Sequence, residues 1–234
     1  MTEPRPSLRA RLARHPALLR PLAWPLSLWI GTATDPRRWR IDGREELAAA
    51  LAQGPVILVL WHEHIALVAR HWPHRAGPIT NVHGEAPIAR LAGQVQARFG
   101  PRPVALGGTG LAATRLVMGR LKAGTSIGLA ADGPRGPRRV VRDPPLDWAR
   151  ASGVPVFLYA AAPERGRRLA SWDRLVWPAP FTGGAALFRR WEARIPRRPD
   201  EAARAALKAD MGRALTAMSD IVEARAVERG GRAG

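Results

Sequence analysis

The segment Trp61-His62-Glu63-His64 follows a continuous apolar run, Val56 to Leu60, and so puts imidazoles where a buried strand would end. An imidazole with its ordinary pKa near about 6.5 is neutral often enough at physiological pH to take a proton from a substrate hydroxyl. That task needs the ring held in one tautomer, usually by a carboxylate on the other nitrogen. Glu63, Glu85 and Asp132 are the acidic residues placed to do this, and His62 is the candidate base.

A second cluster is Asp132-Gly133-Pro134-Arg135-Gly136-Pro137-Arg138. Its glycines permit tight turns and its prolines stiffen the loop. Arg135 and Arg138 carry forked cations suited to phosphate oxygens, with Asp132 and Gly133 at the head of the same loop. A third, weaker feature is Gly107-Gly108-Thr109-Gly110 ahead of a helix, where Gly108 and Thr109 could help to cradle an anion. It has neither the P-loop nor the dinucleotide spacing.

The elements that must position these residues alternate. Strands are expected at Val56 to Leu60, Ile79 to Val82, Pro103 to Leu106, Ser126 to Ala131 and Val154 to Ala161. A helix from Arg44 to Ala52 precedes the first of them, and others follow from Pro87 with Ile88, Leu91, Val95 and Phe99 inward, and from Leu111 with Val117, Met118 and Leu121 inward. Leu146 to Ser152 reads as helical, and Trp191, Ala193 and Ile195 alternate with charged residues as an exposed strand would. Asp200 caps a last amphipathic helix through Leu207, Met211, Leu215, Met218 and Val222. This order predicts an α/β fold, one domain with a mostly parallel central sheet covered by helices. In such sheets ligands gather beyond the C-terminal ends of the strands, where His62, His64, His83, Glu85, Asp132 and Arg135 all fall.

The chain of 234 residues is long enough for one substantial core, and 46% hydrophobic residues argue against wholesale disorder. Cysteine is absent, which excludes a disulfide framework, a thiolate metal site and a cysteine nucleophile. The formal charge of +18 favours polyanionic partners, yet only Lys122 and Lys208 are lysines, so the excess is nearly all arginine, and residue usage is the alternative reading of it. No cleavable signal is expected. The apolar run from Pro16 to Ala33 is interrupted by Arg20 and by Pro21 and Pro25, too broken for the roughly 20 residues a membrane span requires. Trp24 and Trp29 near Arg9, Arg11, Arg14 and Arg20 suggest a helix lying in a headgroup layer. A helix packed on the domain's own core is the alternative. The division is then an interfacial segment 1–38, an α/β domain 39–228 and a disordered tail 229–234.

Taken together, the strand with Trp-His, the Gly-rich turn, DGPRGPR, the Ser152 to Val156 segment SGVPV and the Ser171 to Phe181 segment SWDRLVWPAPF resemble the glycerolipid and lysophospholipid acyltransferase superfamily. The resemblance runs from about Trp39 to Ile221 and is strongest to a bacterial branch catalogued as a domain of unknown function. It implies an acyltransferase that moves a fatty acyl group from an acyl-coenzyme A or acyl-carrier-protein thioester to a lipid hydroxyl. His62 would be the base, and Arg135 and Arg138 would hold a phosphate. The thioester is a co-substrate and no metal or other cofactor is implied. The partners are a lipid acceptor and an anionic membrane surface, with no specific nucleic acid. The location is peripheral, on the cytoplasmic face of the inner membrane. Leu67 stands where the superfamily has an Asp five positions after its His, and His83-Gly84-Glu85 replaces the branch's usual Asp-Gly-Glu. Orientation of the base by Glu85, orientation by Glu63, and altered or lost activity all remain open, and Glu85 is carried with His62 as the catalytic candidate.

Two other readings compete. His62, His64, His83 and Asp132 could ligate a metal in a hydrolase. The charge alone could serve nucleic-acid binding, although no recognised motif for it is present.

Overall fold

The computed structural model describes residues 20–107 and 110–232. Its centre is a seven-stranded sheet in the order β1-β9-β6-β2-β5-β3-β4. The strands are β1 (Trp39–Asp42), β2 (Ile57–Leu60), β3 (Ile79–His83), β4 (Val104–Ala105), β5 (Ser126–Ala130), β6 (Val156–Pro163) and β9 (Gly184–Trp191). All neighbours pair in parallel except β6 with β9. A separate hairpin, β7 (Gly166–Arg168) and β8 (Val176–Pro178), stands beyond the C-terminal end of β6. The expected mostly parallel α/β sheet is therefore what the chain forms.

Helices cover both faces: α1 (Arg20–Ala33), α2 (Arg44–Gln53), α3 (Val68–His71), α4 (Pro87–Ala97), α5 (Leu111–Lys122), α6 (Pro144–Ser152) and α7 (Glu201–Arg232). Strand β2 shows why. Ile57, Val59 and Trp61 enter a core shared with α5, α6 and α7, while Val56, Leu58 and Leu60 enter the core on the opposite face with Leu47, Leu67 and Phe157. A strand buried on both sides needs an unbroken apolar run. The long helix α7 buries Met211, Leu215, Met218, Val222 and Ala226 at helical spacing, and Asp200 caps it by accepting from the Ala203 N–H at 2.7 Å.

Several expectations need correction. The segment around Ala193 and Ile195 is irregular, and the strand there ends at Trp191. It begins at Gly184 and runs between β1 and β6 with Ala185 to Phe188 buried, a short apolar run that carries no alternation to betray it. Ile88 and Leu111, expected inward, are exposed, each in the first turn of its helix. The tail expected to be disordered from Arg229 continues α7 to Arg232, with Arg229 Nε donating to Glu164 at 2.9 Å.

Helix α1 packs on the domain's own core, one of the two arrangements expected for it. Ala23 and Ile30 pack with Leu91 and Val95 of α4, and Trp29 donates to the Pro178 carbonyl at 3.0 Å. Leu22, Trp24 and Leu28 remain exposed. No described helix is long and apolar enough to cross a membrane. The rest of the expected interfacial segment, residues 1–19, lies outside the described residues.

Candidate active site

Strand β2 ends at Leu60, and Trp61 turns the chain into a single 3-10 turn, His62–His64. His62 Nδ1 lies 2.6 Å from Oδ2 of Asp173, a residue in the loop that closes the β7–β8 hairpin. Burial works to raise the Asp173 carboxyl, but hydrogen bonds from His62 and from Ser171 outweigh it and hold the group below the usual carboxylate range. An ionised carboxylate can only accept, so Nδ1 carries a proton, and in the neutral ring Nε2 presents its lone pair. The His62 side chain is 22% exposed, and Nε2 has no hydrogen-bond partner among the described residues. The imidazole is thus oriented by Asp173 and partly open to solvent.

Backbone bonds fix where His62 sits. Asp132, at the end of β5, accepts from the His62 N–H at 2.8 Å and from the Arg139 N–H at 3.1 Å. One carboxylate therefore ties the turn after β2 to both ends of the DGPRGPR loop. Burial pushes the Asp132 carboxyl up, against those backbone bonds. Asp132 is a structural clamp, and its pairing with the His62 ring, one of the expected arrangements, does not occur.

Glu63 clamps the other side. It is fully buried and accepts from Arg138 at 2.9 and 2.6 Å, from Arg139 at 3.2 and 2.7 Å, and from Arg168 of β7 at 3.3 Å. Burial opposes ionisation of Glu63, and the adjacent His64 together with the Arg139 and Arg138 guanidinium bonds outweighs it, leaving the carboxyl below its ordinary range. Arg168 belongs to the hairpin that carries Asp173, so the pairs His62–Asp173 and Glu63–Arg168 hold the same segments side by side.

Other candidates fare unevenly. Glu85 is exposed on the rim, beside Gly107, and does not reach the imidazole's Nδ1, which Asp173 occupies. As orienter it is replaced by Asp173. Arg138 is engaged by Glu63, so its expected role as a phosphate ligand is corrected to that of a structural cation. Arg135 is exposed and has no ion pair among the described residues, which leaves it available to an anion. Gly133 adopts φ +67°, the left-handed turn for which a glycine is suited. Gly108 and Thr109 lie outside the described residues.

The four residues of the metal reading are not brought together. His64 is fully buried beside Glu63 and burial lowers it to about 4; His83 Nδ1 faces the Gly84 carbonyl at 2.8 Å; Asp132 is occupied by backbone N–H groups. Among the described residues no three His, Asp or Glu side chains form a group that could hold a metal ion.

Sequence reasoning did not pair Asp173 with His62. It lies far from His62 in sequence, and only the hairpin after β6 brings it back. The one available signal was the SWD motif itself, which places an acid beside a tryptophan. Trp172 of that motif lies against the imidazole, ring centroids 5.0 Å apart and planes at 47°.

Fold and site together define an α/β protein with an oriented histidine at the carboxyl edge of a mostly parallel sheet. No protein-family model matches the chain. It is 29% identical over 154 residues to an uncharacterized protein of Rickettsia prowazekii (strain Madrid E), a match covering 60% of this chain and 64% of that protein. The chain thus spans less than two thirds of the length of the relative it matches.

Proposed function

We propose that the protein is an acyltransferase that moves a fatty acyl group from a thioester to the hydroxyl of a lysophospholipid or related lipid acceptor. The observation that carries this is the 2.6 Å contact of His62 Nδ1 with Asp173, which leaves Nε2 as a base at the carboxyl edge of the sheet. Nε2 takes the acceptor's hydroxyl proton as its oxygen attacks the thioester carbonyl. A C–O bond forms, the C–S bond breaks, and the imidazolium returns the proton to the departing thiolate. Asp173 stabilises the imidazolium in between. Arg135, on the stiff loop beside the base, meets a phosphate of the acceptor or of the donor.

The resemblance of the Trp-His, DGPRGPR and SGVPV segments to the acyltransferase superfamily supports this reading. An oriented His also serves hydrolysis, so acceptor dependence is the test. Purified protein, palmitoyl-coenzyme A and a micellar lysophospholipid should release thiol and form diacyl lipid together, followed by mass spectrometry. Thiol release that ignores the acceptor contradicts the proposal.

The exposed Leu22, Trp24 and Leu28 on α1, with the positive charge, support peripheral binding to an anionic membrane. The face of the membrane would be the one that meets cytoplasmic thioesters.

A further inference from the structure

We infer that Trp172 is the substrate-contacting wall that makes the base act on an alcohol in preference to water. This rests on the acyl-transfer reading above. The indole lies against the His62 ring on one side. On another it meets the DGPRGPR loop at Gly136, where a Cβ would come within 2.7 Å of the ring. The indole therefore bridges the gap between the base and the loop that carries Arg135.

Its position is fixed from both flanks. Asp173 is bonded to His62, and the Ser171 hydroxyl donates to Asp173 at 2.5 Å while accepting from the Leu175 N–H at 3.3 Å. Even so, Trp172 stays 40% exposed. A large rigid apolar surface left open beside the imidazole, whose Nε2 has no partner among the described residues, is suited to the methylenes next to a thioester carbonyl. Covered by them, it removes water from the place where a competing nucleophile would stand. Water attacking the same carbonyl gives a carboxylic acid and a thiol; the alcohol gives an ester and a thiol. Both reactions use His62 as base, so the wall sets their ratio.

The test follows both products from palmitoyl-coenzyme A in the presence of a micellar lysophospholipid. In the unmodified protein, thiol release should match diacyl lipid. Trp172→Ala should raise the free fatty acid share at least about fivefold and raise KM for palmitoyl-coenzyme A about tenfold, and Trp172→Phe should restore most of the coupling. Trp172→Gln, which keeps bulk but not the apolar face, should uncouple as Ala does and covers the case in which Ala fails to fold. An indole acting only by supporting the imidazolium, or only by packing, would slow both reactions alike. Unchanged partition in folded Ala or Gln variants overturns the role of Trp172 alone. Absence of thiol release by the unmodified protein overturns the acyl-transfer reading, and this role with it.

Discussion

Arg138 grips Glu63 through a forked contact in which Nε and Nη2, at 2.9 and 2.6 Å, both donate to Oε2 of the carboxylate. With Arg139 on the other oxygen, the fully buried Glu63 pins the far end of the DGPRGPR loop to the turn that carries His62. The loop's two forked cations are thereby divided. Arg138 is held inward, and Arg135 points to solvent.

That division makes Arg138→Ala a stability variant. It removes charge-assisted bonds to a buried carboxylate that keeps Arg139 and Arg168, a loss of about 1.5–3 kcal/mol. Arg135→Ala should stay within about 0.5 kcal/mol of the unmodified protein while raising KM for a phosphorylated acceptor about tenfold. Denaturant unfolding paired with steady-state kinetics checks both; equal behaviour of the two variants contradicts the assignment.

Gly136→Ala should damage the site from beneath. Gly136 has φ +69°, and an added Cβ would press on the Trp172 ring at 2.7 Å and on the Arg138 nitrogen at 3.1 Å. The left-handed conformation alone costs a non-glycine residue about 1 kcal/mol. Activity should fall further than stability, because the displaced indole touches the base. A variant with normal kinetics would mean that the loop and Trp172 move independently.

Stability should decline with acid because His64 and His71 are buried in the neutral form. Burial, the main cause in each case, lowers His64 to about 4 and His71 to about 3, and Tyr159 lies 2.6 Å from His71 Nδ1. An unfolded histidine titrates near about 6.5. Below that pH the unfolded chain takes up protons that the folded chain refuses, so stability is full above about 6.5 and falls as the pH drops towards the folded values. The slope approaches about 1.4 kcal/mol per pH unit for each histidine. His71→Phe should roughly halve the slope measured by urea unfolding between about pH 6 and 5; an undiminished slope contradicts this origin.

The outer face of α1 should contribute to lipid binding without contributing to the fold. Trp24 and Leu28 are 61% and 57% exposed, so changing both to Ser leaves the packing of Ala23 and Ile30 on α4 in place. Losing their apolar surface should weaken binding to anionic vesicles about tenfold, or about 1.4 kcal/mol. Co-sedimentation at low and high salt, with unfolding as control, tests this; unchanged sedimentation removes α1 as the contact.

The sheet's centre was legible because strands buried on both faces leave unbroken apolar runs, as at Val56 to Leu60, and the final helix because Met211, Leu215, Met218 and Val222 keep its period. Strand β1 (Trp39–Asp42) was hidden by its shortness and mixed burial, and the β7–β8 hairpin by strands of only three residues each. That hairpin supplies Asp173. The place of His62 could be read from the strand before it, whereas its contact with Asp173 is made by a tertiary return of the chain that no local pattern encodes. Likewise, charge type alone could not distinguish Arg135, facing solvent, from Arg138, neutralised by a buried acid.

The most direct measurement is acyl transfer from palmitoyl-coenzyme A to a lysophospholipid by His62→Ala, Asp173→Asn and the double variant, each shown to be folded. If His62 is the base and Asp173 its orienter, His62→Ala lowers kcat by roughly 10²–10⁴. Asp173→Asn lowers it by a similar or smaller factor with KM little changed, and the double variant is no worse than His62→Ala, since the two act as one unit. Full activity of His62→Ala, or losses that multiply in the double variant, would contradict the account.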